Sequence, residues 1–320
     1  MSASKNRPRW HELPPSARSR IERLAGGTVV AAQNCPGGYS PGFASRLALA
    51  PGGQVFVKAI DASEWPLQAD FYRAEARVAA VLPAAVPAPS FRGCADDGDW
   101  VILAFDSIDG AEPARPWRPA ELEQVAAVVS AIPQALTPSP LPAPAGRVRL
   151  GGWADIAADP AAAARLAAAS AWAQANLDAL IRLEQAGLTA AQGCTLAHFD
   201  VLPFNILRTR HRVWLVDWSH ARPAAPFVDL LMLLASAGED GLDLAWLDAL
   251  LARQPVVAGQ DPAAIDAVLA ALTGFYLAGA LRDIEPGLHP VAAAKRELGR
   301  ASLRWLRHRL GAPGRRPHLP

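Results

Sequence analysis

Charge is scarce in this sequence and nearly balanced. Of 320 residues, 31 are Lys or Arg and 30 are Asp or Glu, so the charged share is 19% and the net charge is +1. The share lies below the ~25% usual for globular chains. No global field therefore recruits nucleic acid or an anionic membrane surface. Cysteine is equally sparse: Cys35, Cys94 and Cys194 are odd in number, form no C-x-x-C pair and have no His at zinc-site spacing. That excludes a disulfide scaffold and a zinc ribbon, and it points to a reducing compartment with the thiols as small buried or half-buried hydrophobes. The first ten residues carry charge with no apolar run behind them, so no secretory signal is expected. The longest apolar run, Val268 to Leu281, has 14 residues, short of the ~20 that span a bilayer, and reads as a buried helix. These absences lead us to expect a cytoplasmic protein. No repeat appears at any period of 20–50 residues.

What the chain has is apolar mass and proline. Hydrophobic residues make up 51%, enough for a sizeable core, and the 29 prolines imply many rigid loops. The length suggests about two structural units. Residues 13–24 read as a short helix entered through prolines. Strand-like runs follow at 29–32, 45–50 and 54–60, the last two joined by Pro51-Gly52-Gly53 as a hairpin. Apolar residues at helical spacing mark a helix over 71–82, and 100–105 reads as a central strand. Beyond this the pattern is mostly helical, at 121–132, 160–186, 242–252, 263–281 and 291–310, with a Pro-rich connection over 136–147. The expected fold class is α+β: a small antiparallel β-sheet lobe with one main helix over residues 1–105 (1–27 being an N-terminal helix or extension), and a larger helical lobe over 106–320.

One segment carries chemistry. Residues 197–205 contain His198-x-Asp200-x-x-x-x-Asn205, followed by Ile206-Leu207, a turn rich in Arg and Thr, and the run Val213 to Asp217. This is a strand–hairpin–strand unit ending in an acid twelve positions beyond Asn205. A nucleoside triphosphate needs a divalent cation to neutralise it, and hard Mg²⁺ takes oxygen ligands such as an Asn carbonyl and an Asp carboxylate. A second carboxylate kept off the metal can accept the proton of an attacking hydroxyl, which completes the phosphoryl-transfer template. The competing reading is that the two Asp cap turns and Asn205 serves local backbone. Upstream, Lys58 sits in the apolar strand 55–58, where a buried ammonium needs an anion. Glu75, seventeen residues on in the predicted helix, is its natural partner, as in the strand-Lys to helix-Glu pair of protein kinases. The loop Gly37-Gly38-Tyr39-Ser40-Pro41-Gly42 would lie over the phosphates, its small residues admitting backbone N–H groups and Ser40 adding a hydroxyl.

Together, Lys58, Glu75, the His198–Asn205 motif and Asp217-Trp218 resemble the aminoglycoside phosphotransferase family, small-molecule kinases with a protein-kinase-like bilobal fold. The similarity runs from about residue 28 to 310 in order and spacing. It extends to Val216–Ala221 and Phe227–Leu230, which resemble that family's later motifs. The resemblance implies Asp200 as catalytic base, Asn205 and Asp217 as Mg²⁺ ligands, and Lys58 as a phosphate ligand. It implies nucleotide contacts at Glu75, Gly38 and Ser40, and a purine-binding hinge at Leu103–Asp106, with Leu103 and Phe105 in it. Asp229 would brace the catalytic loop. The implied activity is transfer of the γ-phosphate of ATP or GTP to a hydroxyl of an aminoglycoside-like antibiotic or other natural product. The neighbouring choices are a choline, homoserine or sugar kinase, and a non-catalytic nucleotide-binding pseudokinase.

Departures narrow the class. Phe199 stands where protein kinases place an Arg, Asp217-Trp218-Ser219 replaces D-F-G, and no A-P-E follows within forty residues. All three disfavour a protein substrate. The basic stretch from Lys295 to Arg316 could suggest nucleic acid, but Leu298, Ala301, Leu306 and Leu310 on the same helix favour a closing helix with a solvated basic face. Trp153, Trp218 and Trp246 are candidates for a substrate cleft. The acids Asp155, Glu239, Asp240 and Asp243 are too few to mark a polyamine pocket. The expected partner is a small hydroxylated molecule bound by a monomer or homodimer, with no nucleic acid and no membrane.

Overall fold

The computed structural model describes residues 7–35, 37, 40–142, 150–238, 240–281 and 289–311. In chain order the elements begin α1 (Pro15–Ala25), β1 (Thr28–Asn34), β2 (Phe43–Ala50), β3 (Gln54–Asp61), α2 (Pro66–Ala79), β4 (Phe91–Asp96), β5 (Trp100–Asp106), α3 (Pro119–Ala131) and α4 (Pro133–Leu136). They continue with α5 (Trp153–Ala158), α6 (Pro160–Ala169), α7 (Ala171–Ala175), α8 (Leu177–Ala190), β6 (Thr195–Ala197), β7 (Ile206–Arg208), β8 (Val213–Leu215) and β9 (Arg222–Ala224). The last four are α9 (Val228–Ser236), α10 (Leu244–Ala252), α11 (Pro262–Leu281) and α12 (His289–Gly311). The expected α+β, kinase-like architecture is what these elements form.

Two compact units emerge: Met1–Pro113 with Pro203–Ala221, and Ala114–Leu202 with Arg222–Pro320. The sequence suggests one boundary after residue 105, whereas the compact units are discontinuous. The reason is local. Ala111 and Arg208 form a backbone bridge (3.0 and 2.8 Å), and the Leu215 N–H donates to the Pro87 carbonyl at 2.7 Å. The β7–β8 hairpin thus belongs with the first unit.

In that first unit, five antiparallel strands lie in the order β1-β2-β3-β5-β4. The two-residue period of β3 explains its side-chain traffic. Val55, Val57 and Ala59 enter one apolar cluster with Ile21 and Ala25 of α1, while Ile60 and the packed Phe56 join a second with Ala69 and Tyr72 of α2. Lys58 shares the α2-facing side. Because helices cover both faces, β3 and β5 read as continuous apolar runs rather than alternating ones. Helix α1, expected as part of an N-terminal extension, is integral to the core: Ala17 and Ile21 are fully buried. Strand β4 was absent from the sequence reading. It is an edge strand whose alternate residues are exposed, with a register shift between Phe91 and Gly93, so its apolar signal is weak.

The second unit is helical. Its centre is α11, long and apolar enough by length and composition to cross a membrane, yet most of it is buried among α5, α8 and α12. The run read as one helix over 160–186 is three. Ser170 ends α6 and caps α7, its Oγ accepting from the Ala173 N–H at 3.2 Å, and Asn176 leaves helical geometry before α8. Both residues offer the backbone a side-chain alternative to the helix, a cue hidden among the surrounding alanines. Helix α12 is less solvated than expected: Arg309 is buried and donates to Asp266 (2.5 Å) and Asp248 (2.6 Å). Cys94 and Cys194 are exposed, which corrects the expectation that all the thiols are buried or half-buried.

Gly187 shows how closely α8 and α11 approach. A Cβ there would stand 2.1 Å from the Ala267 carbonyl oxygen and 2.6 Å from its carbon. Gly187→Ala gains about 1 kcal/mol of helix propensity. The backbone clash should outweigh it and leave a net loss of about 1–3 kcal/mol. A urea midpoint at or above that of the wild type would contradict this packing.

Candidate active site

The first unit gathers its charged residues around Lys58. Strand β3 delivers the Lys58 side chain toward α2, where Glu75 Oε2 accepts its hydrogen bond at 2.6 Å. Asp217 Oδ1 lies 3.3 Å from the same ammonium, so one cation faces two carboxylates. Both Lys58 and Glu75 are buried. Burial alone would lower the lysine, but Asp217 and Glu75 outweigh it and hold the ammonium protonated well above its usual range. Burial pushes Glu75 up to about 7; the Lys58 charge opposes this and the Asp217 charge adds to it.

The surroundings fix this geometry. Tyr72, one turn before Glu75 on α2, presents its ring to Lys58 Nζ at 5.0 Å and shares a 2.9 Å hydrogen bond with the Ser40 hydroxyl. Gly42 then lets the chain pass close. A Cβ there would meet the Ala59 carbonyl oxygen at 2.5 Å and the Tyr72 hydroxyl at 2.8 Å. Asn205 is buried, its backbone carbonyl accepting from the Val216 N–H at 3.0 Å, which ties it to the segment leading into Asp217. Asp217 adopts φ 65°, a left-handed conformation uncommon for any residue but glycine.

Beside this cluster lies a cavity of about 340 Å³ inside the first unit. Of the residues singled out in the sequence, Lys58, Glu75, Ser40, Asn205, Asp217 and Phe105 all border it. Apolar walls come from Ala44, Phe56, Leu207 and Val216. Leu103 is not on the wall; it is fully buried in the cluster with Ile60 and Tyr72. Gly38 lies outside the described residues. Sequence reasoning missed Tyr72, Phe56, Arg46 and Arg7, which also border the cavity or its charged cluster. Tyr72 was accessible in principle, because its i, i+3 spacing to Glu75 puts both on one helix face.

Asp200 stands in the second unit, half-buried on the loop after β6. That loop hangs on Asp229 at the start of α9. The N–H groups of His198 and Phe199 donate to Asp229 Oδ2 (2.7 Å) and Oδ1 (2.9 Å). Phe199, at φ 65°, is the only other described residue besides Asp217 with positive φ that is not glycine. The Arg222 guanidinium covers its ring at 4.9 Å. Two N–H donors and an aromatic contact therefore hold a strained residue immediately before Asp200. The tryptophans and acids considered for a substrate cleft divide. Trp153 is buried with Nε1 donating to the Ala270 carbonyl, and Trp218 borders the cavity. Asp240 accepts from Arg115 and the Trp117 N–H, Asp243 caps α10, and Glu239 lies outside the described residues.

Comparison with known proteins decides the family. A model of the phosphotransferase enzyme family (APH) matches residues 33–268, most of the chain. The chain belongs to that family. It is accordingly a small-molecule phosphotransferase. Solved structures share the fold at low identity. A choline/ethanolamine kinase family protein from Mesorhizobium loti has TM-score 0.57 and 20% identity, over 94% of this chain and 95% of that one. An aminoglycoside phosphotransferase from Alicyclobacillus acidocaldarius has TM-score 0.53 and 16% identity, over 96% and 99%. Spectinomycin phosphotransferase APH(9)-Ia, solved with ADP and spectinomycin, has TM-score 0.51 and 13% identity, over 92% and 94%. No curated protein matches by sequence.

Burial raises the Asp229 carboxyl to about 6, against the two backbone N–H groups that lower it. Its folded pKa therefore exceeds its unfolded value near 3.9, and the native state holds the extra proton between about pH 4 and 6. Across that window this residue's contribution to stability falls as pH rises. Asp229→Asn does not titrate, so its stability relative to the wild type should grow by about 2–3 kcal/mol from pH 4 to pH 7. Urea denaturation of both proteins at the two pH values checks the sign; a constant difference would refute it.

Proposed function

We propose that the protein transfers the γ-phosphate of ATP to a hydroxyl of a small natural product, an antibiotic of the aminoglycoside-like kind being the first choice, with GTP as the alternative donor. The observation that carries this is the convergence of Lys58, Glu75, Asn205 and Asp217 on one cavity with apolar walls. Phe56, Phe105, Ala44 and Val216 offer a purine an apolar slot, while Lys58 offers its phosphates a fixed ammonium.

The residues fit a divalent cation. Asn205 and Asp217 supply hard oxygen donors on the cavity wall, and two carboxylates to one ammonium leave the cluster net negative. No group of three His, Cys, Asp or Glu that could hold a metal exists among the described residues. That suits Mg²⁺, which commonly takes one or two protein oxygens and completes its shell with phosphate and water. Asn205 and Asp217 would hold it, and when bound it offsets charge on the phosphate oxygens. Lys58 steadies the phosphates, and Glu75 keeps the ammonium from swinging away. Asp200 receives the proton of the acceptor hydroxyl, at the end of a loop that Asp229 keeps in place. Such catalysis is mainly positioning and electrostatics.

The acceptor is the least constrained part. Asp240 and Asp243 are engaged in structural contacts, so they supply no evident clamp for a polyamine. Choline, homoserine and sugar kinases remain the neighbouring alternatives. A cytoplasmic location accords with the use of ATP.

Asp200→Ala should lower kcat by roughly 10²–10⁴ while leaving Mg²⁺-dependent ATP binding within about threefold. Lys58→Ala should instead raise KM for ATP by at least about tenfold. ADP release over a panel of aminoglycosides, macrolides, choline and sugars reads both. Turnover by Asp200→Ala close to that of the wild type would refute the base assignment. ATP binding without turnover of any acceptor would favour the pseudokinase reading.

A further inference from the structure

The segment ahead of α1 packs into the first unit. Trp10 packs on Phe43 at 6.1 Å between ring centroids, and Leu13 is buried in the same apolar cluster. The Arg9 N–H donates to Glu12 Oε2 at 2.6 Å across the same turn. The Pro8 carbonyl accepts a long, 3.5 Å hydrogen bond from Asn34 Nδ2, and Asn34 in turn accepts from the Ser45 hydroxyl at 2.8 Å, joining the segment to β1 and β2. These anchors carry Arg7 to the cavity wall, where Nη2 donates to the Gly37 carbonyl.

We propose that Arg7 is a phosphate ligand of the bound nucleotide, supplied by the segment before the first helix to the cavity that holds Lys58 and Ser40. This rests on the nucleotide-binding reading above. Nothing in the family match assigns it, since the match begins at residue 33. The charge balance favours it. Lys58 already faces two carboxylates, whereas Arg7 has no ion pair among the described residues. One guanidinium N–H group is committed to Gly37, and the others remain for an anion whose geometry suits a planar fork. Its charge also reaches the side of the site where Tyr72 meets Ser40 and Lys58, and it helps to lower both the Tyr72 phenol and the Cys35 thiol against burial. A polyphosphate placed over Lys58 would therefore meet a second cation there. The chain before α1 becomes a determinant of nucleotide affinity.

Isothermal titration of the full-length protein with ATP (plus Mg²⁺) and with adenosine tests this on the wild type, Arg7→Lys and Arg7→Gln. Both variants keep a donor for the Gly37 carbonyl, and a thermal melt without nucleotide verifies folding. The expected result is a 10- to 100-fold loss of ATP affinity in Arg7→Gln, a smaller loss in Arg7→Lys, and adenosine affinity within about twofold of wild type throughout. ATP affinity unchanged in Arg7→Gln overturns the proposal alone. So does an equal loss for ATP and adenosine, which would mark a role in shaping the loop rather than holding phosphate. A wild type that binds neither ligand overturns the nucleotide reading and the proposal together.

Discussion

A lysine ammonium removed from water must be answered by negative charge, and much of the first unit is arranged to do so. Lys58 is 8% exposed and Glu75 3%, and an isolated ion at that depth would neutralise rather than stay charged. The second carboxylate, Asp217, resolves the question for lysine and sharpens it for glutamate. Two acids around one base keep the ammonium charged but push Glu75 up to about 7. Such a cluster is stable enough to fold but electrostatically unfinished. Its two carboxylates outnumber its one ammonium, and a cation held by Asp217 would relieve Glu75 as well as the phosphates.

The strained backbone falls where this logic leads one to look. Phe199 and Asp217 alone, among described residues other than glycine, take a left-handed conformation. One precedes the proposed base and the other is a proposed metal ligand. A conformation costing ~1–3 kcal/mol persists only where its surroundings over-determine it. At Phe199 these are visible: two N–H groups on the Asp229 carboxylate and the Arg222 guanidinium over the ring. At Asp217 the Lys58 ammonium plays part of that role. Neither position could use glycine without loss, because one side chain anchors the loop and the other carries the charge.

The sequence made the charged cluster legible because burial and charge conflict there, and conflict is easy to see in one dimension. Lys58 amid Val55, Phe56 and Val57 demands a partner, and the spacing from Asp200 to Asn205 to Asp217 restricts which residues can serve. Elements without conflict were harder. The edge strand β4 alternates weakly, since half of its residues face solvent, and the breaks at Ser170 and Asn176 are single polar residues in an alanine-rich run. Leu103 shows a different limit. The segment containing it was identified, and Leu103 and Phe105 share the α2-facing side of β5, but Leu103 lies mid-strand in the core and only Phe105, near the strand's end, borders the cavity.

Arg7, and the contacts that Tyr72 makes, were illegible for a further reason: both reach the site through contacts far apart in sequence. Tyr72 connects Ser40, 32 residues earlier, with Lys58, and Arg7 meets Gly37, 30 residues later. Neither belongs to a motif, and neither residue type is unusual where it stands. Their placement depends on β1 and β2 pairing in one register, Asn34 opposite Ser45, which brings the chain before α1 alongside the loop between the strands. A one-residue slip would turn every side chain of β2 to the opposite face. It would part Asn34 from Ser45, and with it the tether that leads to Arg7. Register in one strand pair thus governs how much positive charge the cavity can present, a dependence that no local reading of the sequence can supply.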